Sequence, residues 1–376
     1  MTGTRTEGRK WSFRENKTPQ SAASYGTLTG SSRRPLAAEI LAHPSYPDTI
    51  WDLTPTQSGL LPVAADRGGP INIDWEVHGT GDKKIIWIMG LGSLKSGWQR
   101  QTLHFGHEHG DKYSSLIFDN RGMGKSDKPI MRYSTSEMAK DAIELIDHLG
   151  WTNERQLHVA GVSMGGMIAQ ELAYLIPSRI ASLSLLSTAA AIENTTTFLE
   201  NMSTRIRMFI PKTLDRSISD SAHMLFSDAW LDRVDDAALP TSKTPNVELP
   251  PSGAYARFAT NYERFAAQEL NKRLNVPEFQ KKGFILQAIA AGWHHKSVSQ
   301  LSEIGDKVGR DRILVVHGTK DNMITVTLGR KLIEQLNPGM GEIKDGIGHV
   351  FMLEETEWLH AKIEELVRKV EGLGTK

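Results

Sequence analysis

QLHVAGVSMGGMIAQELAYLI, residues 156–176, holds two hydrophobic periods end to end. QLHVAGV (156–162) is a short apolar run of the kind buried in a sheet, and MIAQELAYLI (167–176) repeats its apolar residues at helical spacing. The switch falls at Gly161-Val162-Ser163-Met164-Gly165. A chain that passes from strand to helix within so few residues must turn sharply, which predicts a strained backbone at Ser163. Glycine two residues to either side lets strand and helix approach where a side chain would collide. The same alternation continues outward. INIDWEV (71–77), IIWIM (85–89), SSLIFD (114–119), ASLSLLS (181–187) and RILVVHG (312–318) read as strands. Helical patterns cover 136–149, where Met138, Ala142, Leu145, Ile146 and Leu149 share a face, then 327–336 and a closing amphipathic segment near 354–370. Strands alternating with helices predict an α/β fold with a mostly parallel central sheet flanked by helices.

The alternation stops after Ala191 and resumes at about residue 300. The stretch between carries Met202, Met208, Phe209, Ile210, Phe226, Trp230, Phe258, Tyr262 and Phe265, and a Pro/Ser-rich break at 239–251. It reads as a helical cap inserted over 192–299, so that the α/β core comprises 67–191 and 300–376. Its aromatic residues serve either as the cap's own core or as an apolar lining for a substrate. Residues 36–66 are Pro-rich and read as an extended arm over the domain surface.

A serine hydroxyl at such a turn becomes a nucleophile only if a base removes its proton and an acid orients that base. ILVVHGTKD places Asp321 just past a buried strand, and GIGHV places His349 in a Gly-flanked loop before the last helix. The order Ser163…Asp321…His349 is the one expected after a nucleophile elbow. Asp345 is nearer His349 in sequence but does not follow a buried strand, and His317 inside the strand end reads as structural. An oxyanion requires two backbone N–H groups. Met164, directly after the serine, supplies one, and Leu91 in the Gly90-Leu91-Gly92 loop after IIWIM supplies the other.

With these residues in place the chain resembles an α/β-hydrolase fold serine hydrolase over roughly residues 70–366. Asp119-Asn120-Arg121-Gly122-Met123-Gly124-Lys125-Ser126 is similar to the family's D-x-R-G-x-G-x-S loop, and the resemblance implies a structural role for it. Ser163-Met-Gly-Gly-Met-Ile-Ala-Gln170 is similar to the corresponding stretch of enol-lactonases and small esterases; the arm 1–66 departs from them. The resemblance implies an acyl-enzyme mechanism on a small apolar ester or lactone, without a cofactor. Serine at the nucleophile position excludes the dehalogenases and epoxide hydrolases of the fold, which need a carboxylate there. Carbon–carbon bond hydrolysis, acyl transfer and a ligand receptor on a hydrolase shell remain open.

Composition narrows the field further. Cysteine is absent, which removes disulfides, a cysteine nucleophile and thiolate metal sites. Lys+Arg and Asp+Glu are 44 each, so no global positive field favours nucleic acid. No apolar run reaches the roughly 18 residues of a membrane span, and a cytoplasmic protein is expected. Residues 1–35 hold seven basic and two acidic residues and read as a disordered basic tail, with an organelle-targeting segment as the alternative. His104, His107 and His109 with Glu108, and the pair His294-His295, lack the i, i+4 spacing of a helical zinc site, so no metal is expected.

Overall fold

The computed structural model describes residues 33–193 and 212–374. The basic tail, apart from its last three residues, lies outside the described residues, as do Met202, Met208, Phe209 and Ile210 of the insertion.

Ten strands are described: β1 (Asp52–Leu53), β2 (Gln57–Val63), β3 (Ile71–His78), β4 (Lys83–Ile88), β5 (Tyr113–Phe118), β6 (Leu157–Val162), β7 (Ile180–Leu186), β8 (Val247–Glu248), β9 (Ile313–Gly318) and β10 (Met340–Lys344). Eight form one sheet in the order β2-β3-β5-β4-β6-β7-β9-β10. The pairs β2–β3 and β3–β5 are antiparallel and the rest parallel. The helices are α1 (Ala37–Leu41), α2 (Gln99–Gln101), α3 (Thr135–His148), α4 (Met164–Leu175), α5 (Leu214–Leu225), α6 (Asp228–Leu231), α7 (Asn261–Leu274), α8 (Lys281–Gly292), α9 (Val298–Val308), α10 (Val326–Leu336), α11 (Phe351–Glu354) and α12 (Thr356–Gly372).

The period-2 geometry of each buried strand divides the core into two layers. Ile86 and Ile88 of β4 face α3, α4, α9 and α10. Ile85 and Trp87 face the opposite layer, built from α12, Phe105 and Trp98 and continued by the aromatic residues of the insertion. Trp87, Trp98 and Phe105 are fully buried, and burial of each such side chain contributes about 2–3 kcal/mol before entropy is counted. Helix α3 begins where Ser134 accepts a hydrogen bond from the Glu137 N–H, one residue before the predicted start.

The stretch 36–66, expected as an arm over the surface, divides into two parts. Its first half lies on the insertion, with α1 on α7 and β1 paired to β8. Its second half is β2, the edge strand of the main sheet, in register with β3 from Gln57↔Val77 to Val63↔Ile71. Pro62 sits within this strand, which an edge tolerates because one row of N–H groups has no partner to lose. Gly59 and Pro62 also obscure the strand pattern in the sequence. Buried ion pairs fasten the DNRGMGKS loop beside the sheet: Arg121 donates to both oxygens of Asp141, and the Lys95 ammonium faces Asp74, Glu76 and Asp119. Ser126 donates to the Asp119 carbonyl and accepts from the Asp74 N–H, so its hydroxyl serves the loop itself.

Candidate active site

Ser163 links β6 to α4 at φ 56°, ψ −122°, a backbone conformation that costs a non-glycine residue about 1–3 kcal/mol. The strain is held by packing. A Cβ on Gly161 would stand 2.2 Å from the Gly165 carbonyl oxygen, and one on Gly165 would stand 2.0 Å from the carbonyl oxygen of Ile88. No side chain fits at either position, so strand, turn and helix close on one another. The Ser163 N–H donates to the Leu186 carbonyl, and Thr188 Oγ1 donates to the Ser163 carbonyl at 2.7 Å. The hydroxyl is left at the N-terminus of a twelve-residue helix, where the positive end of the dipole favours developing negative charge.

Asp321 follows β9 and is almost fully buried. Its Oδ1 accepts the N–H groups of Met323 and Ile324, at 2.9 and 2.8 Å. Its Oδ2 faces His349 Nδ1 at 2.7 Å. Burial by itself would raise the Asp321 pKa; the facing His349 and hydrogen bonds from His317 and His349 outweigh it and hold the carboxyl well below the usual range. An ionised Asp321 keeps the Nδ1 proton on His349 and leaves Nε2 as the basic nitrogen. Asp345, the nearer acid in sequence, instead accepts from Thr319 Oγ1 at 2.7 Å.

The Leu91 and Met164 N–H groups do not donate to any backbone carbonyl in the turns and loops of the described residues. The Gly90 loop abuts the serine: a Cβ on Gly90 would stand 3.2 Å from Ser163 Cβ and 3.8 Å from its Oγ. Ser163, Leu91 and Asp321 thus follow the C-terminal ends of β6, β4 and β9, on one edge of the sheet. Such an edge is where open α/β sheets bind ligands.

Other residues support these groups, among them His317, read from the sequence as structural, and Gln287, which the sequence reading did not single out. His317, fully buried, points Nε2 at the Ile324 carbonyl (2.7 Å) and at Asp321 Oδ2 (3.1 Å), so it supports the acid that supports His349. Gln287, buried in α8, accepts the Gly92 N–H through Oε1 and donates through Nε2 to the Arg121 carbonyl, both at 2.9 Å. It ties the Gly90 loop to the DNRGMGKS loop, and its sequence signal is a lone amide in the apolar run FILQAIA. The insertion also holds the histidine loop. Leu225 at the end of α5 accepts the N–H groups of His349 and Val350. Glu354 accepts from the Gly348 N–H and, across to the insertion, from the Ser227 N–H and hydroxyl. The aromatic residues divide more clearly than their sequence allowed. Phe226 stacks on Trp230 (4.6 Å) and meets Phe265 edge-on (4.9 Å), all buried as the insertion's own core. Phe284 instead lies over Gly92, where a Cβ would stand 2.6 Å from its ring.

The fold is shared with known proteins. Residues 90–356 match the family model described as alpha/beta hydrolase fold. The chain belongs to that family. Among curated relatives it is 33% identical over 123 residues to 3-oxoadipate enol-lactonase 2 of Acinetobacter baylyi, covering 32% of this chain and 43% of that one. It is 24% identical over 266 residues to a putative carbamate hydrolase of Agrobacterium fabrum, covering 70% of this chain and 85% of that one. The strongest local matches therefore span less than half the length of the relatives concerned. Among solved structures, a thermophilic esterase from Thermogutta terrifontis superposes with a TM-score of 0.61 at 20% identity, over 84% of this chain and 99% of its own. The enol-lactonase of Burkholderia xenovorans superposes at 0.58 and 17% identity, over 82% and 100%. Likeness at these identities is likeness of fold. Among the described residues no helix is long and apolar enough to cross a membrane.

Proposed function

We propose that this α/β hydrolase is a serine esterase or lactonase that cleaves a small apolar substrate through an acyl-enzyme. The strained Ser163 turn against Gly90, in a chain where Asp321 already holds the Nδ1 side of His349, carries this reading. In this mechanism Ser163 Oγ attacks the carbonyl carbon while His349 Nε2 takes the hydroxyl proton. The carbonyl electron pair moves onto oxygen, and the Leu91 and Met164 N–H groups receive that oxyanion; loss of one such donor typically costs on the order of a hundredfold. Collapse breaks the acyl C–O bond, and the imidazolium returns its proton to the departing alkoxide. Water, giving a proton to the same imidazole, then attacks the acyl-enzyme, and a second collapse frees the acid and Ser163. With a lactone the alcohol stays tethered and leaves as the hydroxy acid. These steps draw on no cofactor.

Residues 192–299 act as the cap, with Phe284 over Gly92 as part of an apolar wall for the acyl or ring portion of the substrate. Similarity to an enol-lactonase supports ester or lactone cleavage over carbon–carbon bond hydrolysis. Labelling with a fluorophosphonate probe, read by peptide mass spectrometry, tests the proposal. A tag on Ser163 that is lost in Ser163→Ala is expected, followed by turnover in a panel of aryl esters and lactones of increasing acyl size. Folded protein that takes no label and turns over no ester would overturn it in favour of a ligand receptor.

A further inference from the structure

The segment from Thr102 to Glu108 winds as a π-helix, and this changes which of its histidines are neighbours. In an α-helix residues i and i+4 share a face; in the wider π turn the pair is i and i+5. The His109 N–H donates to the His104 carbonyl across such a turn, at 3.0 Å. The two imidazoles meet edge to face, with ring centroids 4.6 Å apart and planes 75° apart. A search for i, i+4 spacing passes over this pair. The residues opposite them come from α12, where His360 and Glu364 stand one α-turn apart. His360 stacks flat on His104 at 4.3 Å, and His104 Nε2 meets Glu364 Oε1 at 3.0 Å.

We propose that His104, His109 and Glu364 form a divalent transition-metal site, with Zn2+ as the ion the donor set fits. One ligand atom from each of the three falls within 4.8 Å of the other two. Zinc bound at about 2.0–2.2 Å needs its ligands roughly 3.3 Å apart, so side-chain adjustment of about an ångström suffices without moving either helix. Two imidazoles and one carboxylate select zinc and its transition-metal neighbours over Mg2+ and Ca2+, which prefer all-oxygen shells. The surroundings are those of a metal-bound imidazole. With His104 Nε2 turned to the ion, its Nδ1 faces Glu108 Oε2 at 3.6 Å, the carboxylate position that orients a ligating histidine. Buried His360, whose two ring nitrogens have no hydrogen-bond partner among the described residues, stacks on the His104 ring and fixes its plane. The three ligands are only partly buried, so an ion has a path in and a fourth position for water. The ion would pin the loop between β4 and β5 to the C-terminal helix. His107 takes no part: it bonds His78 and the Pro245 carbonyl.

The site is tested on the full-length, untagged protein by titrating Zn2+ against a chromogenic chelator, and by Co2+ substitution read in the visible spectrum. Chelator competition at one equivalent is expected, together with the d–d absorption of four- or five-coordinate Co2+ and a higher melting temperature with Zn2+ present. His109→Ala and Glu364→Gln should each weaken binding by at least about tenfold and abolish the Co2+ band. Both residues are partly exposed, so the variants should fold even if His104→Ala does not. Zinc bound equally by the wild type and the His109→Ala/Glu364→Gln double variant, or no competition at micromolar zinc, would overturn the proposal. Both readouts are independent of hydrolase activity.

Discussion

The Ser163 turn and the His349 loop sit on the same edge of the sheet and are held by opposite means. The turn is fixed chiefly by backbone closing on backbone: Gly161 against Gly165 within the turn, and Gly165 against Ile88 of the neighbouring strand β4. The loop is fixed by hydrogen bonds: directly to Leu225 on the insertion, and to the nearby Glu354 in α11, which Ser227 of the insertion holds in turn. Packing of backbone on backbone does not respond to pH or salt. A carboxylate clamp does. Ser163 is thus rigidly placed, while the position of His349 depends on the insertion and on the protonation of its clamp.

The largest effect is expected at the base. Asp321→Asn should lower kcat about 10⁴-fold by favouring the wrong imidazole tautomer. Steady-state hydrolysis of an aryl ester checks it; near-wild-type activity would mean that His349 is oriented by another group. Gly165→Ala should strike the nucleophile side by packing instead, costing roughly 3 kcal/mol or more in urea unfolding because its Cβ would meet the Ile88 carbonyl oxygen. A cost below 1 kcal/mol would show that the turn is softer than its contacts imply.

Glu354 sharpens the contrast through pH. Burial pushes its carboxyl up to about 7 despite the Ser227 and Gly348 hydrogen bonds. The folded state therefore prefers the protonated acid. This contribution is complete below the ordinary carboxylate range and is lost as pH rises through about 7, up to about 3 kcal/mol. Glu354→Gln should abolish this component, so the variant gains on the wild type between pH 5 and 8 in parallel denaturation curves. Identical pH slopes would refute the assignment. The smallest effect is expected for Gln287→Ala, which leaves the Gly92 N–H and the Arg121 carbonyl without their partner. A loss of about 1–3 kcal/mol in stability and a modest fall in kcat/KM should result, detectable by calorimetry and ester kinetics. Unchanged kinetics would separate the Gly90 loop's placement from the insertion.

Most of the sheet was legible because its strands are short apolar runs, each bounded by a glycine or a polar turn, and buried on both faces. Strand β2 was not. At an edge, Gly59 and Pro62 are tolerated, so the residues that ordinarily argue against a strand are present in one. The π-helix was equally hidden, since apolar periodicity reports which face is buried and not the number of residues per turn.

The sequence by itself determined the alternation of strand and helix, the glycine pattern that permits a strained Ser163, and the order in which serine, acid and histidine follow. Each is a local property, set by periodicity or by steric limits within a few residues. Only the tertiary structure decided which amide spans Gly92 and Arg121, and which histidines meet across the π-turn and α12. Those choices join residues as many as 260 positions apart, as with His104 and Glu364. Such pairs are made when the sheet, insertion and last helix bury a common core, and no local period encodes that meeting.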